Sequence, residues 1–291
     1  MGEFYALLCA VIWAVAVILL KRSGETVSPF ALNLFRVGIS SVLLVATVLA
    51  SGQGLVRDAP LRDVLILMAS GVIAIAVADT LFHRCLNIVG AGVTAIVDCL
   101  YSPLVVLFAF LLIDERLNAW QLAGMVTVIA AVMIASGHPA PPGVPPRTLF
   151  KGALMGMAAM AAVALGVVVA KPVLERQPVL WSTTVRQLGA LAVMLPAALV
   201  SPQRRRYLAT FRPDASWRFS LPATILGSYL ALMFWLAGMK YTQAGAAAIL
   251  NQTSTIYVLI LASFFLHEPF TRRKLAASAL AIAGILMVTK N

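Results

Sequence analysis

Ten times along this chain of 291 residues a run of about 20 largely apolar residues is closed off by charges, Pro or Gly. The runs cover 4–20, 30–50, 64–83, 90–113, 118–135, 152–170, 180–200, 219–238, 244–266 and 271–289. A helix of that length crosses the ~30 Å hydrocarbon layer of a bilayer. In lipid every backbone N–H and C=O must be satisfied within its own segment, so each run is expected as a membrane-spanning α-helix and the connections as short loops. Composition agrees: 61% of residues are hydrophobic and 11% charged, against about 25% charged in an ordinary globular domain. Mean hydropathy is +0.94. The leader before the first run is MGE, acidic where a secretory leader is basic, so the run reads as a retained helix.

The net charge of +11 has a simpler explanation than nucleic acid, because Lys and Arg collect in the cytoplasmic loops of membrane proteins. Alternate loops carry thirteen on one side and seven on the side that holds both termini, with Arg36 and Arg186 inside helices. That count places the termini outside the cytoplasm. Cys9, Cys85 and Cys99 lack metal-ligand or disulfide-framework spacing. His267 opens His-Glu-Pro-Phe-Thr, in which Thr271 stands where a zinc-protease motif needs its second His. No metal or cofactor is implied.

The chain also says one thing twice. LLIDERLNAWQLAG, 111–124, is answered by FFLHEPFTRRKLAA, 264–277, so that Glu115 and Glu268 lie 153 positions apart. At the same offset Ala91 and Gly92 meet Ala244 and Gly245, and Asp98 meets Asn251; upstream the offset is 150, pairing Gly2 with Gly152, Lys21 with Lys171 and Arg36 with Arg186. Two five-helix units are expected, over 1–137 and 151–291, joined by a Pro-rich linker at 138–150. An odd number of crossings per unit forces the second copy to start on the face where the first ended, so the halves are inverted. Inverted repeats are a common construction of secondary transporters, with the solute site at the midplane between the halves and rocking between them giving alternating access.

Two such halves, each ending in an apolar helix, a short turn with a Glu, a Thr or Asn, and a final helix rich in small residues, resemble the EamA-type members of the drug/metabolite transporter (DMT) superfamily. AGMKYTQAGAAA, 237–248, is similar to the entry of the penultimate helix of an EamA unit. The resemblance implies an all-α integral membrane fold of ten helices around a central cavity. It implies export of small metabolites such as amino acids or related amphipathic solutes, with the small molecule and the lipid bilayer as partners. Ile256 in place of Pro103 and Ala277 in place of Gly124 depart from strict repetition.

Within the apolar runs a few polar residues need an explanation. Asp98 lies between two uncharged stretches, and an unpartnered carboxylate at that depth costs roughly 2.5–3.5 kcal/mol. It suits proton coupling or the binding of an amine, and the bland alternative is an Asp paired with a neighbouring helix. Its repeat twin opens Asn251, Gln252, Thr253, Ser254, Thr255, followed by Tyr257, too polar a run to face lipid. Helix 4 offers Tyr101, Ser102 and Pro103, whose missing N–H frees a carbonyl near Cys99. These groups are expected to line a central cavity, hydrogen bonds between helices being the alternative.

Gate or cavity positions are Trp13, Arg36, Asp79, His83, Arg186, Tyr229 and Trp235. Asp79 and His83 share one face at i, i+4, whereas Arg36 and Arg186 sit shallow enough either to snorkel to headgroups or to face a substrate carboxylate. Small residues at spacing four, Gly152, Gly156, Ala158, Ala162 and Gly166, and Ala277 with Ala281, mark close helix packing. The resulting expectation is a multi-pass protein of a bacterial-type inner membrane that transports without nucleotide, coupled to protons or not. The rivals are an integral membrane enzyme acting on lipid, which would need a catalytic cluster the sequence lacks, and a non-transporting receptor or assembly subunit.

Overall fold

The computed structural model describes residues 1–24, 27–135, 145–265 and 272–289. Its elements in order are α1 (Gly2–Gly24), α2 (Pro29–Ala50), α3 (Leu61–Gly71), a π-helical segment (Val72–Val77), α4 (Ala78–Asp98), α5 (Tyr101–Ile113) and α6 (Ala119–Ala135). There follow α7 (Pro146–Arg176), α8 (Val179–Val200), the short α9 (Arg204–Ala209), α10 (Trp217–Thr224) and a second π-helical segment (Ile225–Ala231). The chain ends in α11 (Leu232–Tyr241), α12 (Ala244–Gln252), α13 (Ser254–Phe265) and α14 (Arg272–Val288). Among the described residues every element is helical, and six helical stretches are by themselves long and apolar enough to cross a bilayer. Leu111, Val126, Phe150 and Leu286 are each more than half exposed, an outward apolar surface of the kind that lipid covers.

Several boundaries differ from the sequence expectation. No break separates 83 from 90: nothing in RCLNIV stops a helix, and α4 runs on to Asp98. The chain breaks instead at Cys99 and Leu100, where Pro103 in the first turn of α5 cannot donate to the Cys99 carbonyl. The second half breaks at the corresponding point, between α12 and α13, without a proline. There the Thr253 hydroxyl donates to the Leu250 carbonyl at 2.6 Å and takes over an acceptor that helical continuation would use. Helix α7 starts at Pro146 rather than at 152, since a proline at the first helical position lacks only an N–H that would have no helical partner. The two π-helical segments, at corresponding places in the two repeats, leave no trace in the apolar pattern.

The two repeats interlock. Helix α1 of the first packs along α10, α11, α12 and α13 of the second, and α7 of the second packs along α3, α4 and α5 of the first; α6 and α14 pair with each other. Close approach depends on small residues. A Cβ at Gly156 would lie 2.7 Å from Cys85 Sγ, and one at Gly166 would lie 2.8 Å from the Ala74 Cβ; the Ser70 hydroxyl donates to the Gly166 carbonyl. Ala158, expected in that stripe, faces outward and Ala159 is buried instead, because a 3.6-residue period drifts off a strict spacing of four.

One face of the bundle is fixed by contacts between loop-proximal residues. Trp181 Nε1 donates to the Leu55 carbonyl at 3.0 Å. Arg176 holds Asp63 with two bonds, Nε to Oδ2 at 2.9 Å and Nη2 to Oδ1 at 2.6 Å. Lys240 Nζ donates to the Gln177 carbonyl at 2.6 Å. A Cβ on Gly2 would meet the backbone of Tyr241 at 2.5 Å. Helix α1 thus begins on the face where α7 ends.

Candidate functional site

A cavity of about 330 Å³ lies at the centre of the bundle, at the lower end of the range of small-molecule sites. Both repeats build it. Trp13 comes from α1, Arg36 from α2, Asp79 from α4, and Asp98 and Tyr101 flank the break between α4 and α5. Across from them stand Gln187 of α8, Trp235 of α11, and Asn251, Gln252, Ser254 and Thr255 flanking the break between α12 and α13. The π-helical segments contribute Ala74 and Ile75 from one side and Gly227, Ser228 and Ala231 from the other. A π turn inserts an extra residue and shifts the face a helix presents, a device frequent at functional sites.

The carboxylate of Asp98 accepts a hydrogen bond from Gln252 Nε2 at 2.9 Å. Its partner is therefore the residue after its repeat twin Asn251, whose side-chain nitrogen and oxygen are both buried without a partner among the described residues. Gln252 Oε1, Gln187 Oε1 and Asn33 Oδ1 are also buried and unpartnered, and all belong to residues of the lining. Trp235 Nε1 donates to the Tyr101 hydroxyl at 3.1 Å, tying the aromatic wall of one repeat to the other.

The two arginines do not snorkel; both are buried in protein. Arg36 Nε donates to Ser228 Oγ at 2.9 Å, its Nη1 stands 3.4 Å from His83 Nε2 and 3.8 Å from Asp79 Oδ2, and its guanidinium lies over the Trp13 ring at 5.6 Å. His83 Nδ1 lies 2.5 Å from the Asp79 carbonyl, so the tautomer with Nδ1–H as donor leaves Nε2 free to accept from Arg36. The expected Asp79 and His83 pair is thus joined through Arg36 and the backbone rather than carboxylate to ring. Arg186 is enclosed behind the wall, its guanidinium 5.6 Å from the Trp235 ring.

Other sequence-selected residues stand outside the lining. Ser102 is buried with its hydroxyl unpartnered among the described residues, and Tyr257 and His83 do not border the cavity. Tyr229 turns to α2, its hydroxyl 2.7 Å from Thr47 Oγ1.

The first of the two repeated Glu residues does not serve the helix that follows it. Asn118 and Gln121 do form the reciprocal cap at the start of α6, two bonds of 2.9 Å. Glu115 instead reaches into the other repeat, where Oε2 accepts from the Ala244 N–H at 2.7 Å and so caps α12. Its Oε1 lies 3.3 Å from Lys171 Nζ, and that ammonium also donates to the carbonyls of Met239 and Thr242 at 2.8 Å each. The node ties α7, the end of α11 and the start of α12 together on the face on which α1 begins. No signal in the sequence pairs Glu115 with Ala244. Its twin Glu268, with Thr271 and His267, lies outside the described residues.

The sequence model of the EamA-like transporter family matches residues 1–137 and 150–290. The chain belongs to the EamA-like transporter family. That family is part of the DMT superfamily. A protein of Archaeoglobus fulgidus named as an uncharacterized transporter is 20% identical over 293 residues, 96% of this chain and 95% of its own. The uncharacterized transporter YetK of Bacillus subtilis is 31% identical over 131 residues, 45% of this chain and 38% of its own. A solved crystal structure superposes with a TM-score of 0.80 at 20% identity, over 99% of this chain and 95% of that chain, which establishes likeness of fold. As an EamA-family member the protein is a multi-pass integral membrane transporter.

Proposed function

We propose that the protein is a secondary transporter or exchanger that exports small metabolites, amino acids or related amphipathic solutes, by alternating access. The proposal includes ten membrane crossings in two inverted halves, 1–137 and 151–291 around the 138–150 linker, in a bacterial-type inner membrane. The observation that carries it is the central cavity, in which a carboxylate, Asp98, shares one chamber with unpartnered amide atoms of Asn33, Gln187, Asn251 and Gln252 and with the rings of Trp13 and Trp235. Buried amides left without partners favour a polar ligand that can satisfy them. The aromatic rings supply the surface for an apolar portion.

Asp98 is assigned the coupling role. It ends α4, where the partial negative charge of the helix dipole reinforces its own, so the place attracts a proton or an ammonium group. Tyr101, Gln252, Ser254 and Thr255 are assigned to solute binding, with Arg36, Asp79 and His83 as a gate-side network. Ser102 and Tyr257 would act only from behind the wall.

Counterflow in proteoliposomes, with amino acids, nucleosides and drug-like cations and with or without a pH gradient, tests the proposal. Saturable exchange of at least one class is expected; absence of flux with every class, or accumulation of altered lipid, would overturn it. In the same assay Asp98→Asn should abolish the part of the flux driven by the pH gradient while the protein remains folded. An unchanged pH profile in that variant would remove Asp98 as the proton carrier.

A further inference from the structure

Arg36 and Arg186 occupy corresponding places in the two halves, yet the structure gives them opposite surroundings. Arg36 has Ser228, His83, Asp79 and the Trp13 ring. Arg186 is fully buried, and among the described residues its Nε, Nη1 and Nη2 have no hydrogen-bond partner and no carboxylate lies within ion-pair distance. Its guanidinium stands 5.6 Å from the centroid of the Trp235 ring, and Tyr101 is close enough to act on it electrostatically.

The cause is legible in the segment that faces it. Asp79 and His83 lie seven and eleven residues beyond Val72, where the first π-helical segment begins; the same steps from Ile225, where the second begins, reach Leu232 and Leu236. From Ile225 to Met239 there is no Asp, Glu or His. The second half has the cation, with leucines at the places where the first half has its carboxylate and its imidazole acceptor.

A guanidinium does not shed its proton in a protein, so its desolvation is uncompensated until an anion arrives. Its fork of donors matches a carboxylate with two parallel bonds. The neighbouring residue Gln187 lines the cavity, as do Trp235 and Tyr101, so the guanidinium, 5.6 Å from the Trp235 ring centroid, lies directly against residues of the chamber wall.

We infer that Arg186 is the anion subsite of the cavity, taking the carboxylate of an aromatic or amphipathic organic acid whose apolar part lies against Trp235. The inference rests on the cavity being the solute site proposed above, and it is tested without transport so that either can fail alone.

Benzoate, benzylamine and chloride are titrated into the purified full-length protein and the apparent melting temperature is read. Saturating benzoate is expected to raise it by roughly 2–4 °C, and chloride at equal ionic strength to leave it unmoved. Arg186→Met should melt higher than the unsubstituted protein without ligand, because an unpaired buried charge is gone, and should lose the benzoate shift while keeping its benzylamine response. A structural arginine would give the reverse stability change. Leu232→Asp, which restores the carboxylate found in the first half, should fold and also lose the benzoate shift. Retention of the shift in either variant, or its absence in the unsubstituted protein, overturns the inference; if Arg186→Met does not fold, Leu232→Asp decides alone.

Discussion

Lys171→Met is expected to destabilise the protein by ~3–5 kcal/mol, the usual consequence of removing one partner from a buried ionic cluster. Lys171 is 3% exposed and satisfies two carbonyls at the end of α11 and beyond it, those of Met239 and Thr242, besides the carboxylates of Glu115 and Glu175. Methionine preserves the length of the stem and part of the packing, so the loss isolates the ammonium. Glu115→Gln should cost much less, about 1 kcal/mol, because the amide oxygen can still accept from Ala244. The two variants are compared by denaturant or thermal unfolding in lipid nanodiscs. A Lys171→Met protein as stable as the unsubstituted one would show that the node is peripheral rather than the fastening of α7, α11 and α12. In the transport assay the same variant should lose tight closure on the face where α1 begins, read as faster solute leak.

Gly71→Leu should yield no folded protein. At the end of α3 the Gly71 Cα faces α8 so closely that even a Cβ would overlap the Arg186 carbonyl, and one turn along, a Cβ on Gly189 would stand 2.6 Å from the Met68 carbonyl oxygen. Backbone cannot rotate out of the way as a side chain can, so α3 and α8 must separate, and overpacking of that kind falls in the tail of mutational losses above about 4 kcal/mol. Gly24→Ala is the control, since among the described residues nothing lies within 4 Å of a Cβ there. Fluorescence-detected size-exclusion chromatography of a tagged fusion reads both: a monodisperse Gly71→Leu peak at the unsubstituted yield would contradict the crossing. The same crossing fixes the backbone of Arg186, so the subsite inferred for its side chain depends on this contact.

Particular residues mark where the sequence could be read and where it could not. The reciprocal cap of Asn118 and Gln121 was readable because it is local, three residues apart. The pairing of Asp98 with the second repeat was half readable: the offset of 153 pointed to Asn251, and the structure delivers Gln252. A helix advances about 100° per residue, so a neighbour in sequence is a different face, and only the interhelical rotation decides which face meets the carboxylate. Snorkelling of Arg36 and Arg186 was an open alternative because depth along a helix says nothing about whether a side chain points to lipid or to protein. Their burial comes from the interlocking of the repeats, a contact between segments far apart in the chain.

What the sequence determined by itself is everything that follows from transfer of a segment from water to lipid: apolar helices, an integral membrane class, two copies of one family unit, and the rarity of polar groups inside them. Those properties sum over local residues and need no neighbour. The tertiary structure alone decided which polar groups share the chamber, that π turns shift the faces lining it, that Glu115 caps a helix of the other repeat, and that one of two equivalent arginines has a carboxylate beside it while the other, among the described residues, has none. Hydrogen bonds and ion pairs depend on separations of a few ångströms and on direction. Across more than a hundred residues of chain, the packing of helices sets those separations.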